Sequence, residues 1–228
     1  MIAHKKEFYS GLGLMVAFFV VLIIFFSPIY QGKNGLDFLD NLYNSISKGS
    51  AYYIPEAKEK AMQFKDKQFS ASLAMDNADQ ASKTALLFTA AGAKAEVKDK
   101  GLKITGDLGA VLLACLKDAD AMYGNNGEAV SRKYGYDERQ VLYNWWKAFK
   151  GITASFKDNK LFKEADAVTL VLKKAVETAY NYYKIEAQKI GDRIGIVIFS
   201  LVFYVVYTVW YGFGIMFLFE GWGMKIGH

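Results

Sequence analysis

A chain of 228 residues with 53% hydrophobic side chains, 22% charged ones and a formal charge of only +5 is too balanced to suit a nucleic-acid binder, and its apolar residues are too unevenly placed for an ordinary soluble domain. The single cysteine, Cys115, excludes an intramolecular disulfide, and the two histidines, His4 and His228, stand at opposite ends of the chain. Zinc and iron–sulfur centres need several Cys or His ligands at short spacing, so no metal and no cofactor is expected.

Residues 1–10 form a short tail with Lys5 and Lys6, followed by the uncharged run GLGLMVAFFVVLIIFFSPIY at 11–30. A bilayer core takes about 20 apolar residues of helix, which this run supplies. It exceeds the roughly 7–15 residues of a signal-peptide core, and Ser27-Pro28-Ile29-Tyr30 offers no A-x-A cleavage site, so it reads as a signal anchor. A second uncharged run, IGIVIFSLVFYVVYTVWYGFGIMFLF at 194–219, is long enough to span with tilt, and a tail at 220–228 follows. The expected fold class is mainly α: two transmembrane helices bracketing a helical-bundle soluble domain, 31–192, with a small β-hairpin. Lys5 and Lys6 favour a cytoplasmic N-terminus. Lys184, Lys189 and Arg193 ahead of the second span favour the opposite sense, but the first span normally sets orientation. The expectation is a bacterial inner (cytoplasmic) membrane protein with both tails in the cytoplasm and the large loop in the periplasm.

Within the loop, Leu36, Leu39, Leu42 and Tyr43 have helical spacing with a stop at Gly49. Pro55 sits at a first helical position for PEAKEKAMQFKDKQF, which is charged on most faces and is expected on the outside. Ala71, Ala74, Ala78, Ala81, Ala85 and Phe88 predict one packed helix. In AEVKDKGLKITGD, Val97, Leu102 and Ile104 around a Lys100-Gly101 turn predict the hairpin. Leu108, Val111, Leu112, Cys115, Leu116, Ala119, Met122 and Tyr123 trace the core face of a helix that Gly124-Asn125-Asn126-Gly127 ends. Cys115 reads there as a packing residue. A further helix is expected over 137–150. Leu161, Ala165, Val168, Leu172, Ala175, Ala179 and Tyr182 form a seam, and a second stripe through Val176, Tyr180, Tyr183, Ala187, Ile190 and Ile194 predicts one long helix running into the second span, with Gly191 as a hinge.

No P-loop, dinucleotide-binding glycine pattern or nucleophile motif occurs, and neither span carries a charge, so no catalytic residue is nominated and the chain is not expected to be an enzyme. Asp118 and Asp120 lie two apart on a helix, do not face each other, and read as solvated. Tyr134, Tyr136, Arg139, Trp145 and Trp146 form an aromatic and cationic cluster of the kind enriched at partner interfaces. The competing reading makes Asp137 a helix N-cap and divides the Trp pair between core and surface. In the second span, Tyr204, Tyr207, Trp210 and Tyr211 stand where a lone lipid-facing helix rarely keeps such rings, and Gly191 and Gly195 have small-xxx-small spacing. These eleven residues are the expected partner interface. The functional expectation is a non-catalytic accessory subunit of a multi-subunit complex, in a homo- or hetero-oligomer with other integral membrane subunits and the lipid bilayer, and with no nucleic acid. The alternative is a membrane-anchored sensor or ligand-binding protein that signals through a separate partner.

Overall fold

The computed structural model describes residues 2–29 and 32–224. Tyr30 and Gln31, which the sequence reading placed at the end of the first apolar run and in the following turn, and Lys225 to His228 of the C-terminal tail, lie outside them. The chain is mainly helical with a small three-stranded sheet, and it divides into two compact units, 1–49 with 187–228, and 50–186.

The first unit holds α1 (Lys5–Phe26), α2 (Gly35–Ser50, all but its last residue) and, at the other end of the sequence, α10 (Ile190–Gly221). Both α1 and α10 are long and apolar enough to cross a membrane. They run antiparallel: Phe18 stacks on Tyr207 at 4.2 Å and Phe25 on Phe203 at 6.1 Å, while the backbone N–H of Ala3 donates to the carbonyl of Gly221 at 2.9 Å. The two backbones meet at Gly11, where any Cβ would lie 2.6 Å from the Leu218 nitrogen and 2.9 Å from the Gly214 carbonyl oxygen. α1 ends where Ser27 turns extended ahead of Pro28, whose missing N–H cannot continue the ladder. The helix carries its own brake, since the Ser27 hydroxyl donates to the Ile23 carbonyl at 2.6 Å. The Tyr43 hydroxyl of α2 bonds Ser200 of α10 at 2.5 Å.

The second unit contains α3 (Ile54–Met62), β1 (Gln68–Ala74), α4 (Ala78–Ala90), β2 (Lys94–Lys98), β3 (Gly101–Asp107), α5 (Leu108–Tyr123), α6 (Gly127–Tyr134), α7 (Glu138–Asp158), α8 (Phe162–Val171), a π-helical segment (Leu172–Glu177) and α9 (Thr178–Tyr182). The sheet is antiparallel in the order β1-β3-β2, with Ala71 opposite Ile104 and Leu73 opposite Leu102. Phe69, Ala71, Leu73, Leu102 and Ile104 point into the core and the alternate residues into solvent, as a period of two requires. The core itself is built on Trp145, Phe149 and Phe156 of α7, Phe88 of α4 and the predicted stripe of α5, every member of which is buried.

Four expectations need correction. Ala71 and Ala74 belong to β1 rather than to a helix, so the second arm of the hairpin, β3, is the central strand of a three-stranded sheet; an isolated hairpin is marginal in water, and the third strand gives it a partner. The segment after Pro55 is an outer helix, with Glu56, Lys58 and Glu59 exposed, but it is not polar on most faces, because Ile54, Ala57 and Ala61 are buried and dock it on the core. The helix of 137–150 continues to Asp158. The long helix expected from the second stripe, Val176 to Ile194, does not run into the second span: helix stops at Tyr182 and resumes at Ile190, and the two stretches fall in different compact units.

The start of α5 shows how β3 and the turn between α3 and β1 fix this core. Of its first N–H groups, those of Leu108 and Gly109 donate to the carbonyls of Lys67 and Phe64, and that of Ala110 to the Asp107 side chain, so three otherwise orphaned donors are satisfied. At Gly109 a Cβ would fall 2.6 Å from the Lys65 nitrogen and 2.7 Å from its Cα, both backbone atoms that cannot swing away. Gly109→Ala should therefore destabilise the protein by about 1–3 kcal/mol, read as a lowered midpoint of chemical denaturation with unchanged slope.

Candidate functional site

The aromatic and cationic residues nominated from 134–146 divide between two environments, because α7 turns about 100° per residue and so sends neighbours to different faces. Trp145 and Tyr134 go inward. Both converge on Asp118 of α5, which is 2% exposed: the Tyr134 hydroxyl donates to Oδ2 at 2.6 Å, the Trp145 indole N–H to Oδ2 at 3.0 Å, and the Lys133 ammonium to Oδ1 at 2.8 Å. The expectation of a solvated Asp118 was wrong, and with it the assignment of Tyr134 and Trp145 to a partner surface. The signal was present: Asp118 follows Cys115 by three residues and precedes Met122 by four, which is the spacing of the buried stripe. Asp120 does face outward and accepts from the Tyr52 hydroxyl at 2.8 Å.

The electrostatics around Asp118 suit a scaffold. Burial first, then the Asp118 charge and hydrogen bond, push the Tyr134 phenol far above its ordinary range, so it stays a proton donor. Burial, followed by the same carboxylate, raises the Cys115 thiol well above its usual value, which leaves it protonated and a poor nucleophile. Tyr136 is half-buried and knits α4 to α7: its hydroxyl donates to the Lys83 carbonyl at 3.2 Å and accepts from Asn144 at 3.3 Å. The Asp137 side chain caps α7 by accepting from the Gln140 N–H at 2.8 Å.

Trp146 and Arg139 go outward and meet residues the sequence reading did not nominate. A surface groove of about 350 Å³ is lined by Leu142, Tyr143 and Trp146 of α7, Val176 and Glu177 of the π-helical segment, and Tyr180 and Asn181 of α9. Leu142 and Val176 are buried and form an apolar floor. Tyr143 and Trp146 stack at 5.7 Å with 24° between their planes, and the Trp146 indole N–H donates to Glu177 Oε1 at 2.9 Å. Lys150 stands 4.3 Å from the Trp146 ring centre and the Arg139 guanidinium 5.8 Å from that of Tyr180. Beside it, Tyr183 donates to Glu138 at 2.8 Å; burial, and then this bond, raise the Tyr183 phenol to about 12. No spacing rule joins residue 143 to residue 180, so only the folded chain assembles this groove.

In the first unit, the Trp210 indole N–H donates to the Leu14 carbonyl of α1 at 3.1 Å, and Tyr207 packs on Phe18 with its hydroxyl buried and unpartnered among the described residues. Tyr204 and Tyr211 are 68% and 42% exposed. Gly191 and Gly195 have nothing within 4 Å of a notional Cβ, so the close approach of α1 and α10 belongs to Gly11, Gly214 and Gly221 instead. Among the described residues no three His, Cys, Asp or Glu side chains gather as a metal site. Compared with protein-family models, curated proteins and solved structures, the chain matches none.

Removing the Asp118 carboxylate strands a buried phenol and indole. Asp118→Ala should lose about 3 kcal/mol or more, seen as a lower denaturation midpoint with a weakened near-UV signal from Trp145, whereas Lys133→Gln, at the half-exposed end of the pair, should lose markedly less. A second expectation concerns alkaline pH. The Tyr136 and Tyr183 phenols sit at about 12 in the folded chain against 10.0 for an ordinary tyrosine, chiefly through burial. Between those values the unfolded chain gives up protons that the native one retains, so stability is full below pH 10 and falls from there toward 12. Replacing both by Phe should flatten that decline in a pH series of denaturation curves.

Proposed function

We propose that this chain is an integral membrane protein and a non-catalytic accessory subunit of a multi-subunit bacterial inner-membrane complex. The observation that carries the reading is the outward surface of α1 and α10. Val16, Phe19, Val20 and Ile23 on one helix and Ile198, Phe199, Val202, Val205, Val206 and Val209 on the other are all half exposed or more, with no charge between residues 11 and 29 or 194 and 219. Exposed apolar patches beyond a few hundred Å² are rare on soluble monomers. Hydrocarbon is the solvent that accommodates this pair, with both backbones internally bonded. The unit 50–186 buries its own apolar residues and suits water, so the arrangement proposed is two spans around an extracytoplasmic domain.

Partners are supported by the polar atoms of α10. The exposed tyrosines Tyr204 and Tyr211 carry hydroxyls inside the apolar stretch, where an unpaired hydroxyl is costly, and acceptors on a neighbouring subunit's helix would satisfy them. The alternative, a membrane-anchored ligand-binding protein, is favoured by one feature, the aromatic groove beside α7.

The reading predicts that the protein stays in the membrane pellet after alkaline carbonate extraction and co-purifies with other membrane proteins in mild detergent. Cys115 is fully buried, so Asn126→Cys, at an exposed turn, gives a clean topology probe. An impermeant maleimide should label it in spheroplasts before lysis. Release into the supernatant without detergent overturns the membrane assignment, labelling only after lysis reverses the orientation, and a monodisperse monomer in mild detergent removes the accessory role.

A further inference from the structure

The groove between α7 and α9 carries cations at its margins that the packing of their own unit leaves without a carboxylate partner among the described residues. Lys133, Lys147 and Lys184 each pair with a carboxylate, at Asp118, Asp76 and Glu138. Arg139 and Lys150, on either side of Lys147 along α7, have no carboxylate within 4 Å among the described residues; Lys150 stands over the groove-lining ring of Trp146, and Arg139 between the rings of Tyr180, which lines the groove, and Tyr183 beside it, at 5.8 and 5.6 Å. We propose that this groove binds a small organic anion with a flat apolar body, of the aromatic carboxylate class.

Size, lining and charge agree on that class. A volume of about 350 Å³ lies in the range of small-molecule sites. The buried side chains of Leu142 and Val176 give an apolar floor, and Tyr143, Trp146 and Tyr180 offer ring faces and edges against which a flat body gains both area and quadrupole contacts. Tyr143 and Tyr180 are 38% and 39% exposed, so these surfaces are open to a ligand. The acidic member, Glu177, already accepts the Trp146 indole N–H. Against it stand two cations, which makes the rim net positive and disfavours an ammonium ligand that the rings alone would attract. Arg139 is the stronger anchor, since its planar fork matches both oxygens of a carboxylate, while Lys150 adds a point charge. The second wall is the π-helical segment, a wider and rarer backbone form often found at functional sites, and its register brings Val176 and Glu177 to face α7. None of this depends on where α1 and α10 lie, so the groove and the membrane assignment fail separately.

The test is equilibrium dialysis of radiolabelled 2-naphthoate against the full chain in lipid nanodiscs, with uptake by empty nanodiscs subtracted. Saturable uptake of one naphthoate per chain is expected, weakened about tenfold or more by Arg139→Gln, as loss of a charged hydrogen bond implies, less by Lys150→Gln, and strongly by Trp146→Ala. Both cations are exposed, so the two glutamine variants should keep the fold, which circular dichroism checks. Three results would overturn the proposal: no saturable uptake above empty nanodiscs, uptake indifferent to the Arg139→Gln and Lys150→Gln pair, or uptake of phenyltrimethylammonium in place of naphthoate.

Discussion

The Asp118 carboxylate organises the 50–186 unit. A buried charge survives only when its lone pairs are satisfied, and here α6 supplies a phenol and an ammonium while α7 supplies an indole. Each charged hydrogen bond contributes about 1.5–3 kcal/mol, and each is directional, so the three together define how α5, α6 and α7 are rotated as well as that they touch. Trp145 is thereby fixed inward. Its neighbour Trp146 is then turned outward beside Tyr143, and the surface groove exists because of a buried contact on the opposite side of the same helix.

A different constraint governs α1 and α10. The pair has almost no polar material with which to specify its alignment, so it uses close backbone approach at Gly11, ring stacking of Phe18 on Tyr207 and one indole-to-carbonyl bond from Trp210 to Leu14. Small residues and a few hydrogen bonds are the means of helix association where lipid removes the hydrophobic contrast. The Tyr43 to Ser200 bond ties α2 to the same pair, and α2 falls in the same compact unit.

Local patterns were legible where a single element decides the outcome. The stripe of α5 was read from spacing, the N-cap at Asp137 from its place before a helix, and the period-two arm with Leu102 and Ile104 from alternation. The reading failed where a distant partner decides. Ala71 and Ala74 fit a helical spacing with the alanines after them, yet pairing with β3 makes them a strand. The chemical type of Asp118 suggests solvent, but its position prevails because two buried donors, Tyr134 and Trp145, and the half-exposed Lys133 meet it there. The stripe from Val176 through Tyr183 to Ile194 is not one helix, since periodicity cannot report that the backbone leaves the helix at Tyr183.

The amino-acid order by itself determined that two stretches free of charge form helices long enough for a bilayer and that a charged, largely helical segment lies between them, because hydropathy and period are properties of neighbouring residues. The tertiary structure alone decided that Asp118 is a core anchor, that the hairpin gains a third strand, that α1 meets α10 at Gly11, and that Tyr143, Trp146 and Tyr180 share a groove with Arg139 and Lys150 at its margins. Each of these joins residues far apart in the sequence or sets the direction of a side chain, and such placements are fixed only when whole helices and strands pack against one another.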